Sequence, residues 1–278
     1  MYSAISKSLA AIVLSAMVIL SSCGNKDAKE ASALLSQSQE AIDAHNYAGA
    51  LTLLDTLNSR YPKQLDIRRS GLRLRALAME GMAMDSIAVA DSILAWATLN
   101  REEFQRNFKH IDSSVGLEGY FLPEGTSDKM MTETAIQARV SDKGYFYIVA
   151  NVQGRAIGLK SITLSDGSEQ ISSSEISPPR VVKVEGSESA SFNPEELEGI
   201  GVWLIRHPSC SKITFNGIKG DVSIKMSKSL YNEITACDGF SEAMQAQRRA
   251  SIRREKFERM LATARDQLAN MPVAEEEK

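Results

Sequence analysis

Ser209 and Lys212, in the segment SCSK, come nearest to the residue types and spacing of a nucleophilic site. In the Ser-x-x-Lys motif, the serine hydroxyl attacks a carbonyl carbon and the lysine follows three residues later. In enzymes that use this motif, the serine opens a helix, and the chain also contains Ser-Asp-Asn and Lys-Thr-Gly motifs. Here Ser209 precedes a predicted strand, and neither of these two motifs occurs. We therefore predict that the chain is not an enzyme and keep hydrolysis at Ser209 as a third hypothesis.

Metal and cofactor chemistry has little support in the residue pattern. His45, His110 and His207 are scattered, and each is predicted at a helix end or in a connection, where an imidazole can bond the last helical carbonyls. No His-x-x-x-His, paired-cysteine or phosphate-binding glycine motif occurs. We predict no metal site, no cofactor and no catalytic residue.

The segment YFY, at Tyr145, Phe146 and Tyr147, has a different chemistry. Strand alternation puts the two tyrosines on one face of a sheet and Phe146 on the other, so an uncovered face would offer two rings to a sugar. The next residues, Ile148 and Val149, continue both faces as apolar, which favours a strand buried on both sides. A ligand platform at Tyr145 and Tyr147 and ordinary core packing both stay open.

The N-terminal segment predicts where the protein is located. Lys7 precedes a mostly apolar stretch at 9–20, which is shorter than the roughly 20 residues that span a bilayer and has the length typical of a signal peptide. The segment LSSC that ends at Cys23 resembles the lipobox of bacterial lipoproteins. This resemblance implies that residues 1–22 are removed and that Cys23 becomes a lipid-modified first residue. Each buried acyl methylene stabilises attachment by about 0.8 kcal/mol, so several chains anchor the protein permanently.

Gly24 follows Cys23, where an aspartate often marks retention in the inner membrane in that family. The resemblance therefore implies an outer-membrane lipoprotein, and it leaves the periplasmic and surface leaflets open. Residues 23–30 are predicted to be a tether. Cys210 and Cys237 would both be exported, which permits a disulfide between them; two separately buried thiols are the alternative.

The composition is typical of a globular protein, with 43% hydrophobic and 24% charged residues. The formal net charge of −3 argues against nucleic acid as a partner, since nucleic-acid binding needs a strongly basic surface.

Residues 31–115 have helical periodicity. The segment HNYAGALTLLDTLNSRYP resembles the second half of a tetratricopeptide repeat, with the matching residues Tyr47, Ala50, Leu54, Leu57 and Pro62. A second helical pair is predicted from apolar stripes at 67–78 and 87–97, giving two degenerate repeats. Fewer than three such repeats rarely stand alone, because each repeat buries its face on a neighbour.

Residues 116–227 change to alternating periodicity. Strands at 134–140, 145–152 and 157–164, separated by short turns, predict an antiparallel meander. A helix with Asn193 as N-cap and Pro208 beyond its end covers the predicted sheet, and strands follow at 212–216 and 221–226. The fold class is therefore α+β.

Residues 228–271 are predicted to form one long C-terminal helix, which packs back on the N-terminal helices, and residues 272–278 an acidic tail. Arginines on this helix alternate with acidic residues, which favours a solvated face. The sheet region and this helix resemble other anchored bacterial lipoproteins of unknown role, on too few residues to transfer a site.

Three functions follow as hypotheses. The first is a membrane-anchored scaffold or protein-interaction module whose partner is another envelope protein. The second is a glycan-binding module that uses Tyr145 or Tyr147. Hydrolysis at Ser209 is the third.

Overall fold

The computed structural model describes residues 26–112, 118–129, 131–184 and 186–271. Cys23 and the predicted signal peptide lie outside these residues, as does the acidic tail. The chain forms two compact units: one joins the segment up to Ser92 to the segment from Ser251, and the other is Ile93–Ala250. The predicted α+β class is confirmed, with N-terminal helices, antiparallel sheets in the middle and a long C-terminal helix.

Three helices open the described chain: α1 at residues 26–43, α2 (Tyr47–Arg60) and α3 (Leu65–Gln105). His45 connects α1 to α2 with φ +57°, and the Asn46 side chain caps α2 by accepting from the Gly49 amide. Ala50, Leu54 and Leu57, three of the repeat-like positions, are buried. Leu54 and Leu57 cluster with Ala31 of α1 and with Ile67 and Leu74 of α3, so the three helices share an apolar core.

The prediction of a second helical pair is wrong, because α3 is one continuous helix of 41 residues. Proline is absent from this stretch, and Gly81, the residue most able to interrupt it, lies inside the helix. A Cβ atom at Gly81 would overlap the Tyr47 ring. The glycine therefore allows α2 to approach α3 closely instead of ending a helix.

The long C-terminal helix is confirmed as α5 (Lys228–Asn270). Within the helical unit, Arg254 of α5 donates to Asp91 of α3 at 2.5 Å, and Arg265 donates to Glu80 at 2.9 Å. The predicted contact between the C-terminal helix and the helical region is therefore present.

The second unit contains two antiparallel sheets, where one was predicted. Their strand orders are β1-β2-β3-β4-β8-β7 and β10-β9-β5-β6. In chain order the strands are β1 (Phe108–Ile111), β2 (Tyr120–Pro123), β3 (Ala135–Ser141), β4 (Phe146–Gln153), β5 (Leu159–Ser165), β6 (Gln170–Ser172), β7 (Val182–Val184), β8 (Ser187–Phe192), β9 (Lys212–Gly217) and β10 (Val222–Lys225). A 3₁₀ turn at Pro178–Arg180 precedes β7.

The predicted meander is only partly present. Strands β3 and β4 pair as a hairpin, but β5 leaves them and pairs with β6 and β9 in the four-stranded sheet. The carboxylate of Glu188, on β8, accepts from the amides of Ile157, Gly158 and Leu159 and so fixes the start of β5. A buried side chain far along the chain therefore sets the path of this strand.

The helix predicted from Asn193 is also shorter than expected. Residues 194–199 form turns, and α4 (Ile200–Arg206) begins after Gly199, whose φ is +80°. The Asn193 carbonyl accepts from the Glu196 and Leu197 amides, so Asn193 starts a turn instead of capping the helix.

One apolar core fills the second unit. It contains the buried faces of both sheets together with Phe240 and other residues from the first half of α5. Phe240 contacts Phe108 and Phe121, with ring centroids 4.5 and 5.3 Å apart. The six-stranded sheet is therefore covered on its inner face by the core.

Candidate functional site: a groove on the six-stranded sheet

The predicted alternation of the YFY segment is confirmed. Phe146 and Ile148 point into the core and are buried, whereas Tyr145 is 42% exposed and Tyr147 is half-buried on the outer face. The two tyrosines are therefore not both core residues.

Both tyrosines line a groove of about 870 Å³ on this outer face. The groove is lined by Glu118, Gly119, Ser141, Tyr145, Tyr147, Ser191, Asn193, Pro194 and Glu195. These residues come from β3, β4 and β8, from the segments that flank these three strands, and from the segment that precedes β2. The site therefore depends on strands that are far apart in the sequence.

The first half of α5 positions the turn that carries Tyr145. The Ser241 hydroxyl accepts from the Phe146 amide at 3.1 Å and donates to the Gly144 carbonyl at 2.8 Å. Gln245 donates to the Lys143 and Gly144 carbonyls. Because these bonds hold the backbone on both sides of Tyr145, its ring is presented from a fixed turn.

Tyr147 lies beside a basic side chain of the neighbouring strand β3. It lies opposite Arg139 in the β3–β4 register, and the Arg139 guanidinium lies 4.1 Å from the centre of the Tyr120 ring. Burial raises the pKa of the Tyr147 hydroxyl, so this side chain stays neutral at physiological pH.

A loop closes one end of the outer face. Gln137 donates to the Ser127 carbonyl at 2.6 Å, and Asn151 donates to the Glu133 carbonyl at 2.8 Å. Both side chains are buried although they point away from the core. The groove therefore occupies the part of the face that this loop leaves open.

The groove is polar around its two rings. Glu118 accepts from the Lys143 amide and ammonium groups. In the described part of the chain, the side chains of Ser191, Asn193 and Glu195 make no hydrogen bond to the protein. They are accordingly free to bond a ligand. Reasoning from the sequence missed them, although the alternating serines of SESASF were a signal for one polar strand face.

A second surface feature is an apolar stripe on α3. Val89, Ile93, Trp96 and Leu99 are exposed, with Trp96 at 65%. Among the described helices, α3 alone is long and apolar enough to cross a membrane, a property that core helices of soluble proteins share. We call these four residues the α3 stripe.

Ser209 and Lys212 are not brought together. Ser209 lies in the loop between α4 and β9 and borders a pocket of about 390 Å³ with Lys228 and Tyr231, whereas Lys212 is not among the residues that line this pocket. In the described chain no hydrogen bond joins the Ser209 hydroxyl to a basic side chain. The absence of enzyme activity remains a prediction.

Of the two alternatives for the cysteines, the structure has the separately buried thiols and not the disulfide. Cys210 and Cys237 are both unpaired and buried in the core of the second unit. Burial raises the pKa of both thiols, so each behaves as a small apolar side chain.

Two of the three histidines lie at a helix end or in a connection, as predicted, and the third does not. His45 connects two helices and His207 follows α4, but His110 lies in β1, where it contacts Asp142 at 2.7 Å and Asp112 at 3.1 Å. Among the described residues, no group of three or more His, Cys, Asp or Glu side chains is arranged so that it could hold a metal ion.

Asp166 ties the β5–β6 turn to the end of α4. Its carboxylate accepts from the Glu169 amide, from His207 Nδ1 at 2.8 Å, and from the amide and hydroxyl of Ser168. Trp203 stacks on His207, with ring centroids 4.2 Å apart. These donors, the Glu169 amide first, hold the pKa of Asp166 well below its usual value.

Acid is therefore expected to destabilise the native protein partly through Asp166. Its depressed pKa stabilises the fold above about pH 4, the pKa of an unfolded aspartate, and this stabilisation decreases as the pH falls toward the folded-state pKa. Asp166→Asn should show a smaller decrease in the urea midpoint between pH 7 and pH 3 than the wild type. Equal decreases would contradict this role.

No protein-family model, curated protein or solved structure matches this chain.

Proposed function

We propose that this chain is an outer-membrane lipoprotein, anchored through acylated Cys23, that acts as a protein-interaction or scaffold module of the bacterial cell envelope. The observation that supports this function best is the α3 stripe. Exposed contiguous apolar surface on a globular protein is typical of a protein contact, and an exposed tryptophan is the residue most often found at the centre of one.

The position of the α3 stripe on its helix supports a helical partner. Gly71, Ala78 and Gly81 precede Val89, Trp96 and Leu99 by eighteen residues each. Eighteen residues are five turns of an α-helix at 3.6 residues per turn, so each pair shares one side of the helix. In its first half, this side of α3 packs against α2.

The contacts at these earlier positions are close. A Cβ atom on Gly71 would lie 3.3 Å from the side chains of Leu54 and Leu57, and Gly81 packs against Tyr47. Five turns later the same side carries Val89 and larger residues, and these are exposed. An amphipathic helix of another envelope protein can cover them, as helical repeats cover one another.

A photo-crosslinking amino acid in place of Trp96 tests this function in intact cells. One discrete crosslinked envelope protein is expected, and the added substitution Ile93→Asp should abolish the adduct because it places a charge in the contact. The matched control carries the crosslinker at Ile218, which is 72% exposed on the β9–β10 turn. The absence of an adduct, or the same adduct from both positions, would contradict the proposal.

A further inference from the structure

We propose that the groove on the six-stranded sheet is a second binding site, and that its ligand is a short neutral oligosaccharide. The carbon-bound hydrogens of a pyranose form an apolar face, and its hydroxyls form a polar rim. The groove offers the matching surfaces, two tyrosine rings and a set of polar side chains. This site is separate from the α3 stripe and does not depend on the partner proposed for it.

The two rings supply the apolar contact. Tyr147 is half-buried and neutral and lies in a central strand, and Tyr145 stands on the turn held by Ser241 and Gln245. The backbone that carries both rings is already fixed, by the contacts of the turn at Tyr145 and by strand pairing at Tyr147, which lowers the entropic cost of binding. Tyrosine also keeps a hydroxyl for hydrogen bonding.

The polar side chains match hydroxyl groups. Ser191 and Asn193 can both donate and accept, and the carboxylate of Glu195 accepts only. Because a sugar hydroxyl can both donate and accept, the hydroxyls of a sugar can form hydrogen bonds with each of these three side chains. A volume of about 870 Å³ lies within the range of small-molecule sites and exceeds what a single sugar ring needs.

Other ligand classes fit less well. Two carboxylates, those of Glu118 and Glu195, line the groove and none of its lining residues is basic, so an anionic ligand would meet negative charge without a cation that lines the groove. A peptide strand would add to a sheet edge, whereas this groove lies on a sheet face, between strands that are already paired on both sides. A neutral ligand rich in hydroxyls carries no charge that the two carboxylates would repel, and it does not need a free sheet edge.

Isothermal titration of the full mature chain tests this proposal, with cellohexaose, maltohexaose and hexa-N-acetylchitohexaose as neutral probes and oligogalacturonate as an acidic probe. We expect at least one neutral probe to bind, and the acidic probe not to bind. Tyr145→Ala and Tyr147→Ala should each weaken binding about tenfold or more. Tyr147→Phe, which keeps the ring, should stay within about threefold of the wild type.

Two controls separate this site from other effects. Val182→Ala changes an exposed residue on β7 of the same sheet, outside the groove, and Trp96→Ala changes the α3 stripe. Both should bind the oligosaccharide as the wild type does, so failure at either site can be told from failure at the other. Thermal unfolding of each variant reports whether the fold is intact. The proposal is overturned if no neutral probe binds, if the acidic probe binds instead, or if folded Tyr145→Ala and Tyr147→Ala keep wild-type affinity.

Discussion

Replacing Glu188 with alanine is expected to lower the free energy of unfolding by about 3–5 kcal/mol, because several buried groups would lose their partner at once. Glu188 has no exposed surface, and its Oε2 accepts from the amides of Ile157 at 3.0 Å, Gly158 at 2.8 Å and Leu159 at 3.0 Å. The three amides would lose their acceptor, and those of Ile157 and Leu159 belong to buried residues.

Urea unfolding measures this effect. Glu188→Gln keeps an oxygen that can accept from the same amides, so its loss should be smaller, about 1–2 kcal/mol. Glu195→Ala removes an exposed carboxylate and serves as the matched control, with an expected change within about 0.5 kcal/mol. If Glu188→Ala unfolds at the urea concentration of Glu195→Ala, the carboxylate does not organise the start of β5.

Phe240→Ala is expected to cost a similar amount, about 3–5 kcal/mol, through a cavity in the core. Phe240 is fully buried and packs on Phe108 and Phe121 from two neighbouring strands, so three aromatic side chains lose contacts together. The substitution also loosens the hold of α5 on the turn that carries Tyr145, because Ser241 is the next residue.

Denaturant unfolding and amide hydrogen exchange check this prediction together. Exchange should accelerate at Phe146, whose amide donates to the Ser241 hydroxyl. Ile252→Ala is the control on the same helix, since Ile252 is 53% exposed and its truncation should change stability by about 0.5 kcal/mol or less. Wild-type exchange at Phe146 in the Phe240→Ala variant would show that the turn does not depend on this packing.

Elements with a regular local pattern could be predicted from the sequence. The strands β3 and β4 and the helices α2 and α5 each have a clear period, and the structure contains all four. The strands β1 and β2 were missed, because four residues are too few to show a period and their segment borders a long helix. Their strand conformation depends on pairing with each other and with β3.

Contacts between distant segments explain the other errors. The pattern of β5 predicts a strand but not a sheet, and its sheet is set by Glu188 and by β9. Tyr145 and Tyr147 could be predicted as neighbours on one face of the sheet, because the alternation of strand β4 alone places them together. Ser191 joins them only because β8 pairs with β4, with Val149 opposite Ser191, and nothing local encodes that register.

The proposed function requires the protein to be tethered at a membrane, and the mass of the N-terminal peptide from membrane-purified native protein tests this most directly. Cys23 lies outside the described residues, so its lipid modification is a proposal that follows from the lipobox resemblance. The expected peptide begins at Cys23 and carries the mass of a diacylglycerol. A protein that keeps residues 1–22, or that begins at an unmodified residue, would contradict the tether and the envelope role proposed with it.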